Sequence, residues 1–457
     1  MKSSIKKLIL SAGILASAFG ANGQMTYSGY FLDNYTYRFQ MNPAFGNSRG
    51  FVSFPGLGDL NLGTQGNLNV SDIVYPLNGK TVLFTNPGIS EKEAMSKFGN
   101  RNRLGVNVKE DILTVGFKGF GGYNTISISA VANASVSVPK SFFSLAKEGV
   151  TNKTYDIKDM FGYGEGYAQI ALNHSRDIKQ VPGLRVGATL KAYLGAGNVD
   201  FKFNDAYLQL GENEWIAQTN ADIYASVTGL KFKMDRNDKS GAEYVSGADV
   251  DNFGLNGFGM GLDLGAEYKW NDFRFSAAVL DFGFMSWGKT QWASTNGNKT
   301  VSTDAYIFNA NSDASNSFDN EWDRFSGDLA KLYELEDMGE LSSRTRMMAA
   351  TLNFGADYEF PYYRKLHFGL LNSTRINGCY SWTQFRLSAD VNPVKCFSAG
   401  INGAVGTFGA AFGWIINLHV PGFNLFAGMD HTVGKLSKEY IPLNSNNSFN
   451  LGINFPF

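Results

Sequence analysis

Past its first two dozen positions the 457-residue sequence has no run of about 18 uninterrupted apolar residues, so it cannot build a membrane-spanning helix there. Cysteine is scarce, with only Cys379 and Cys396, which excludes a disulfide scaffold. Neither cysteine follows the apolar N-terminal stretch, so the lipid-attachment route of a lipoprotein is closed. Proline is sparse at 11 residues, and 40 Lys+Arg balance 41 Asp+Glu. Bulk electrostatics therefore offer nothing to a nucleic acid. Catalytic signatures are also missing: His174, His367, His419 and His431 stand apart, with no HExxH pair, GxSxG elbow or calcium-loop spacing. Neither an enzyme nor a cofactor is expected.

What is present begins with a secretory pattern. Lys2, Lys6 and Lys7 precede an apolar stretch from Leu8 to Phe19 and the small-residue site Ala21-Asn22-Gly23. Residues 1–23 are expected to be a signal peptide, with the mature chain starting at Gln24. The 52 Gly, 37 Phe and 21 Tyr suit strands with small residues on one face and rings on the other.

Period two is the decisive signal, because successive strand side chains point to opposite faces. Ile126, Ile128, Ala130, Ala132, Ala134, Val136 and Val138 alternate with polar residues, broken only by Val131. The pattern recurs over Leu184 to Leu194, Phe258 to Trp270 and Met348 to Phe360. A soluble sandwich also alternates, but its strands are typically only about 5–6 residues long. Here the oily faces run longer and end in aromatics such as Tyr268, Trp270, Tyr358 and Phe360, as a girdle at a lipid–water boundary requires. Phe449, Leu451, Ile453, Phe455 and Phe457 extend the alternation to an aromatic last residue. The expected fold is all-β, a transmembrane antiparallel β-barrel of about 14 strands (about 12–16 within boundary error). Its partners would be outer-membrane lipid and the barrel-insertion machinery, which would read the C-terminal strand 448–457.

Counting back from Phe457 puts the short connections at 420–422, 392–396, 361–364, 271–272, 211–214 and 177–183 on one side. The long ones at 437–447, 289–344, 231–257 and 139–162 fall on the other, the expected external loops. The barrel is assigned to residues 102–457 and an N-terminal plug or hatch region to 24–101, the alternative being a flexible periplasmic tail. Hatch candidates are Tyr35, Tyr37, Arg38, Gln40, Asn42, Pro43 and Phe45; Asn42 can N-cap a short helix that Pro43 opens. Trp322, Phe325, Leu329, Leu332 and Leu335 have helical spacing within 318–338. Polar faces give the lumen-lining candidates Asp263, Glu267, Lys269, Asn353, Asp357, Glu359, Arg386 and Asp390. Gly283 to Thr290 spells GxxxxGK[ST], but bulky rings at a strand end make no phosphate cradle. Cys379 and Cys396 flank the strand Trp382 to Val391 and are expected on opposite rims, unpaired.

Three stretches, Tyr35 to Phe45, Val186 to Gly195 and Leu280 to Trp287, resemble a family of Bacteroidota outer-membrane barrels of unassigned function. That family is itself similar to the long-chain fatty-acid transporter barrels. Asn42-Pro43-Ala44 looks like an element near the N-terminus of those transporters, where the segment forms an internal hatch. The resemblance implies location and fold, and two readings of function stay open. One is passive passage of a hydrophobic or amphipathic small molecule; the other is a structural or docking barrel serving surface or secreted proteins.

Overall fold

The computed structural model describes residues 26–148, 151–211, 214–236, 241–252, 254–304, 334–432 and 444–457. The proposed signal peptide lies outside these residues. So do Trp322, Phe325, Leu329 and Leu332 of the expected helix and most of the 437–447 loop.

Fourteen antiparallel strand positions close into a barrel. In chain order they are β1 (Phe51–Ser53 continued by Leu60–Gly66), β2 (Arg101–Gly119), β3 (Gly122–Pro139), β4 (Phe161–Asp177) and β5 (Leu184–Leu210). Next come β6 (Glu214–Val227 continued by Gly257–Trp270), β7 (Phe273–Ser294), β8 (Glu336–Met347 continued by Ala350–Glu359), β9 (Leu366–Ile376) and β10 (Trp382–Val394). The last four are β11 (Phe397–Gly406), β12 (Gly409–Val420), β13 (Phe423–Met429) and β14 (Asn447–Pro456). Closure comes from β14, which pairs on one side with β13 and on the other with both pieces of β1. No helix among the described residues is long and apolar enough to cross a membrane.

The period-two faces sort as a lipid-embedded barrel requires. Ser127, Ser129 and Asn133 are buried inward, while Ile126 and Ile128 point out. Leu264 is 50% and Leu387 65% exposed on the outer wall, and Phe258, Phe354, Leu370, Ile401 and Phe412 are also exposed there. Bare apolar side chains on so many strands form a belt that water would not tolerate.

One rim carries only short turns: 120–121, 178–183, 271–272, 360–365, 395–396 and 421–422. Phe51 enters and Phe457 ends at this rim, where the Phe457 backbone N–H donates to Gly50 O at 2.9 Å. The opposite rim carries the long connections and three short ones.

Several boundaries differ from expectation. The barrel begins at Phe51, not 102, because β1 is split by Phe54–Asp59, whose proline and glycines leave pieces too short for a period test. Residues 67–100 cross to the long-loop rim. There Tyr75, Phe84, Ile89, Met95 and Phe98 make a small core with Phe143 of the helix Lys140–Glu148; the Phe98 and Phe143 rings stack at 4.0 Å. The 211–214 turn also belongs to that rim, because β5 is a single strand of 27 residues. A bulge leaves Ala196 unpaired between Gly195 and Gly197, so the strand bends without turning. Residues 228–256 leave β6 mid-strand: Val227 pairs with Gly197 and Gly257 with Gly195, so the hairpin between them is an excursion from one strand. Glu336, Asp337 and Met338, at the end of the expected helix, open β8. The Gly283 to Thr290 stretch lies inside β7.

Candidate functional site: the barrel lumen

The lumen toward the short-turn rim is occupied by the segment Thr26–Phe45. Two 3-10 turns, Tyr27–Gly29 and Thr36–Gln40, keep it compact. Asn42 caps a single turn instead of a helix: its Oδ1 accepts from Ala44 N–H at 2.9 Å while Phe45 N–H donates to Asn42 O. This local Asx geometry satisfies the donors that a helix start would otherwise leave open.

Rings supply the segment's bulk. Tyr27, Tyr30, Phe31, Leu32, Tyr35, Tyr37, Phe39, Met41 and Phe45 form one buried cluster with Phe51, Tyr123, Leu371, Trp382, Ile415 and Phe426 of the wall. Tyr35 meets Phe426 at 5.0 Å between centroids, Tyr37 meets Phe51 at 5.8 Å, and Tyr27 meets Trp382 edge-on at 6.5 Å. Each such pair adds roughly 0.5–1.5 kcal/mol beyond area burial. Glycines on the inner face make the room. A Cβ at Gly265 would stand 2.0 Å from Asn42 Oδ1, and one at Gly187 2.1 Å from Pro43 O.

Polar anchors come from strands all round the barrel. Asp430 accepts from Tyr27 N–H at 2.7 Å and from Ser28 N–H at 2.6 Å. Side-chain amides satisfy the segment's carbonyls: Asn353 donates to Met41 O at 2.9 Å, Asn173 to Pro43 O at 3.2 Å and Asn417 to Asn34 O at 2.8 Å. Asn42 Nδ2 returns a bond to Ala266 O at 3.1 Å. Arg38 packs over the Phe45 ring, donates to Tyr30 O and pairs with Asp33 at 2.6 Å; Gln40 reaches Asp111.

The eight candidate lining residues separate by depth. Asp263 is buried against Lys191 at 2.7 Å, and Lys191 also holds Asp281 at 2.6 Å. Asn353 touches the segment directly; Asp357 pairs with Arg274 and lies 3.2 Å from His367 Nδ1. Arg386 donates to Asn402 and Gln384 and lies 3.7 Å from Asp430, and Asp390 accepts from Ser388 at 2.9 Å. Glu267 is half-buried opposite Arg185. Lys269 and Glu359 belong to the short-turn rim, where Lys269 is exposed and Glu359 accepts from Arg364.

Sequence reading missed Asp430, Lys191 and the asparagines Asn173, Asn417 and Asn424. Their signal was available, since inward asparagines sit at alternate positions on strands, but nothing in one chain says that they face a segment hundreds of residues away. Also missed was a second ring cluster farther from the short-turn rim: Tyr193, Met285 and Trp287, packed with Tyr167 and Met348. Beside it Arg344 pairs with Asp200, and Arg346 lies 4.3 Å from the Tyr163 ring centroid.

Among solved structures, the chain is similar to a mutant of the TodX monoaromatic hydrocarbon channel, at 10% identity and TM-score 0.43, covering 92% of this chain and 94% of that one. It is similar at 10% identity and TM-score 0.41 to the Ralstonia pickettii toluene transporter TbuX, covering 92% of each chain. The Pseudomonas putida toluene transporter TodX gives 10% identity and TM-score 0.39, over 91% of this chain and 92% of that one. At such distances, what those proteins carry stays with them. No curated protein matches the sequence. The profile of a family of unknown function, DUF5723, matches residues 43–430, and the chain belongs to that family.

Proposed function

We propose that this DUF5723 protein is an exported outer-membrane channel for small hydrophobic or amphipathic molecules, held closed by the segment Thr26–Phe45 acting as its plug. The observation that carries the reading is the make-up of the lumen's aromatic surface. Six of its fifteen buried residues belong to the wall and nine to a segment that no strand pairing holds. A barrel serving only as scaffold has no need of a core on a separable piece; a channel does, because displacing that piece uncovers a ring-lined path. The apolar outer belt supports placement in a bilayer, with the short-turn rim toward the periplasm. Lipid is then the principal partner, and β14 offers Phe449, Leu451, Ile453 and Phe455 outward to the insertion machinery.

A docking barrel is the second reading. One observation favours it: residues 67–100 and the helix Lys140–Glu148 form a rim layer with its own apolar core, more structure than a pore mouth needs.

Deleting 26–45 separates the two. With equal amounts of full-length and deleted protein in the outer membrane, the deletion is expected to speed uptake of the fluorescent probe phenylnaphthylamine. Unchanged uptake through a barrel that still shows heat-dependent gel mobility would reject the channel and leave docking.

A further inference from the structure

A five-residue turn, Asn377–Ser381, joins β9 to β10 at the long-loop rim, and its hydrogen bonds go to the other side of the barrel. Tyr380 Oη donates to Ser135 O at 3.3 Å on β3 and to Phe161 O at 3.2 Å on β4. Asn377 Nδ2 donates to Tyr163 Oη at 3.1 Å on β4. Arg103 of β2 donates to Cys379 O at 2.7 Å and to Ser381 O at 3.0 Å. The Tyr380 ring also packs edge-on against Phe161 and Tyr163 at 5.4 and 5.2 Å. These partners stand five to seven strands round the barrel from the turn, on its far side. Fourteen strands ~4.8 Å apart at a tilt of ~40° would enclose a circle roughly 28 Å across. A single tyrosine cannot bridge that width, so the turn and the facing strands approach each other across the mouth.

A second turn joins the closure. Phe408, between β11 and β12, lies 5.0 Å from the Arg103 guanidinium, and Asn446 donates to Phe408 O at 3.1 Å. Arg103 thus grips two short turns at once, and no carboxylate pairs with it among the described residues.

We infer that Asn377–Ser381 is a strap that closes the outer mouth as a second gate, in series with the plug, and that Arg103 is its latch. The inference rests on the channel reading. The attachments suit a gate better than a permanent staple. None of Gly378, Cys379 and Tyr380 is fully buried, and every hydrogen bond they make is to a group that water can satisfy when the strap lifts. Contrast the plug, whose rings are shut away from water in a shared core. Arg103 acts by positioning the turns, so its conservative variant should retain part of the latch.

The test compares ion conductance in planar bilayers for four forms of the full chain: unaltered, lacking 26–45, Arg103→Ala with Tyr380→Phe, and the two changes combined. Series gates predict no added current from the strap change alone, a small leak from the 26–45 deletion alone, in keeping with the probe uptake expected above, and a several-fold larger current when both are made. Arg103→Lys in the deleted chain should lie between. To show that the strap itself blocks, Ser135→Cys is joined to the native Cys379 by a reducible thiol cross-linker in a Cys396→Ser background. The cross-link should silence the combined variant, and reduction should restore it. If the 26–45 deletion alone conducts as well as the combined form, the strap is no gate and the channel reading stands. If the combined form is inserted and heat-modifiable yet never conducts, the channel reading falls and this inference with it.

Discussion

At the scale of single residues, which face a side chain occupies decides what its replacement does. Leu264 and Gly265 are neighbours on β6, yet one lies in the outer apolar belt and the other against Asn42 of the lumen segment. Leu264→Arg is expected to cost about 2–4 kcal/mol in a folding titration into lipid vesicles if it lies near mid-membrane. Gly265→Ala should leave that titration nearly unchanged and instead push Asn42 aside, which limited proteolysis would read as faster cleavage within 26–45. Asp430→Ala should be more damaging. It leaves the Tyr27 and Ser28 N–H groups unanswered and Arg386 buried without its neighbouring carboxylate, a loss on the order of 3–5 kcal/mol in the same titration. In sequence the face of Leu264 was legible from alternation alone. The partners of Asp430 were not, because they lie some four hundred residues away and no local pattern encodes them. Cys379 and Cys396 show how far local reasoning reaches: they flank β10 and sit in turns at opposite rims, both with free thiols.

At the scale of elements, long uninterrupted strands announced themselves and interrupted ones did not. β3, eighteen residues long, shows its alternation from Thr125 to Val138 with one break at Val131. β1 comes as pieces of three and seven residues around a proline and glycine loop, and was absorbed into the expected plug region. In β5 the alternation read from Leu184 to Leu194 stops at Gly195-Ala196-Gly197 although the strand continues, because a bulge and a turn draw on the same small residues and differ only in whether the partner strand continues. The excursion 228–256 yields a direct check. Both pieces of β6 pair with β5 independently of the hairpin between them. Replacing 228–256 by a short glycine linker should therefore leave a barrel with heat-dependent gel mobility; loss of that mobility would mean that the hairpin is structural. In sequence the segment stands out by its side chains, since nine of the twenty residues 26–45 are Tyr, Phe, Leu or Met. Its limits do not, since nothing marks residue 45 as the end of the lumen segment until β1 is seen to start at Phe51.

At the scale of the whole molecule, the protein is a closed barrel whose outer wall is apolar, whose inner wall is largely polar, and whose lumen holds the segment 26–45. Fold class, strand number and the division into a short-turn rim and a long-loop rim follow from periodicity and connection lengths, which are local quantities. What fills the lumen is a global property, set by shape complementarity between glycine gaps on β5 and β6 and an Asn-Pro turn over a hundred residues upstream. One measurement reaches both. Nitroxide labels placed singly at each position from Gly257 to Trp270, in a chain with Cys379 and Cys396 replaced by serine and reconstituted in lipid vesicles, report accessibility to lipid-soluble oxygen and to a water-soluble paramagnet. The account predicts high oxygen accessibility at 258, 260, 262, 264 and 266, low values between them, and a label at 265 that is immobilised in the full chain and freed when 26–45 is deleted. Loss of the alternation, or a label at 265 equally mobile with and without the segment, would contradict it.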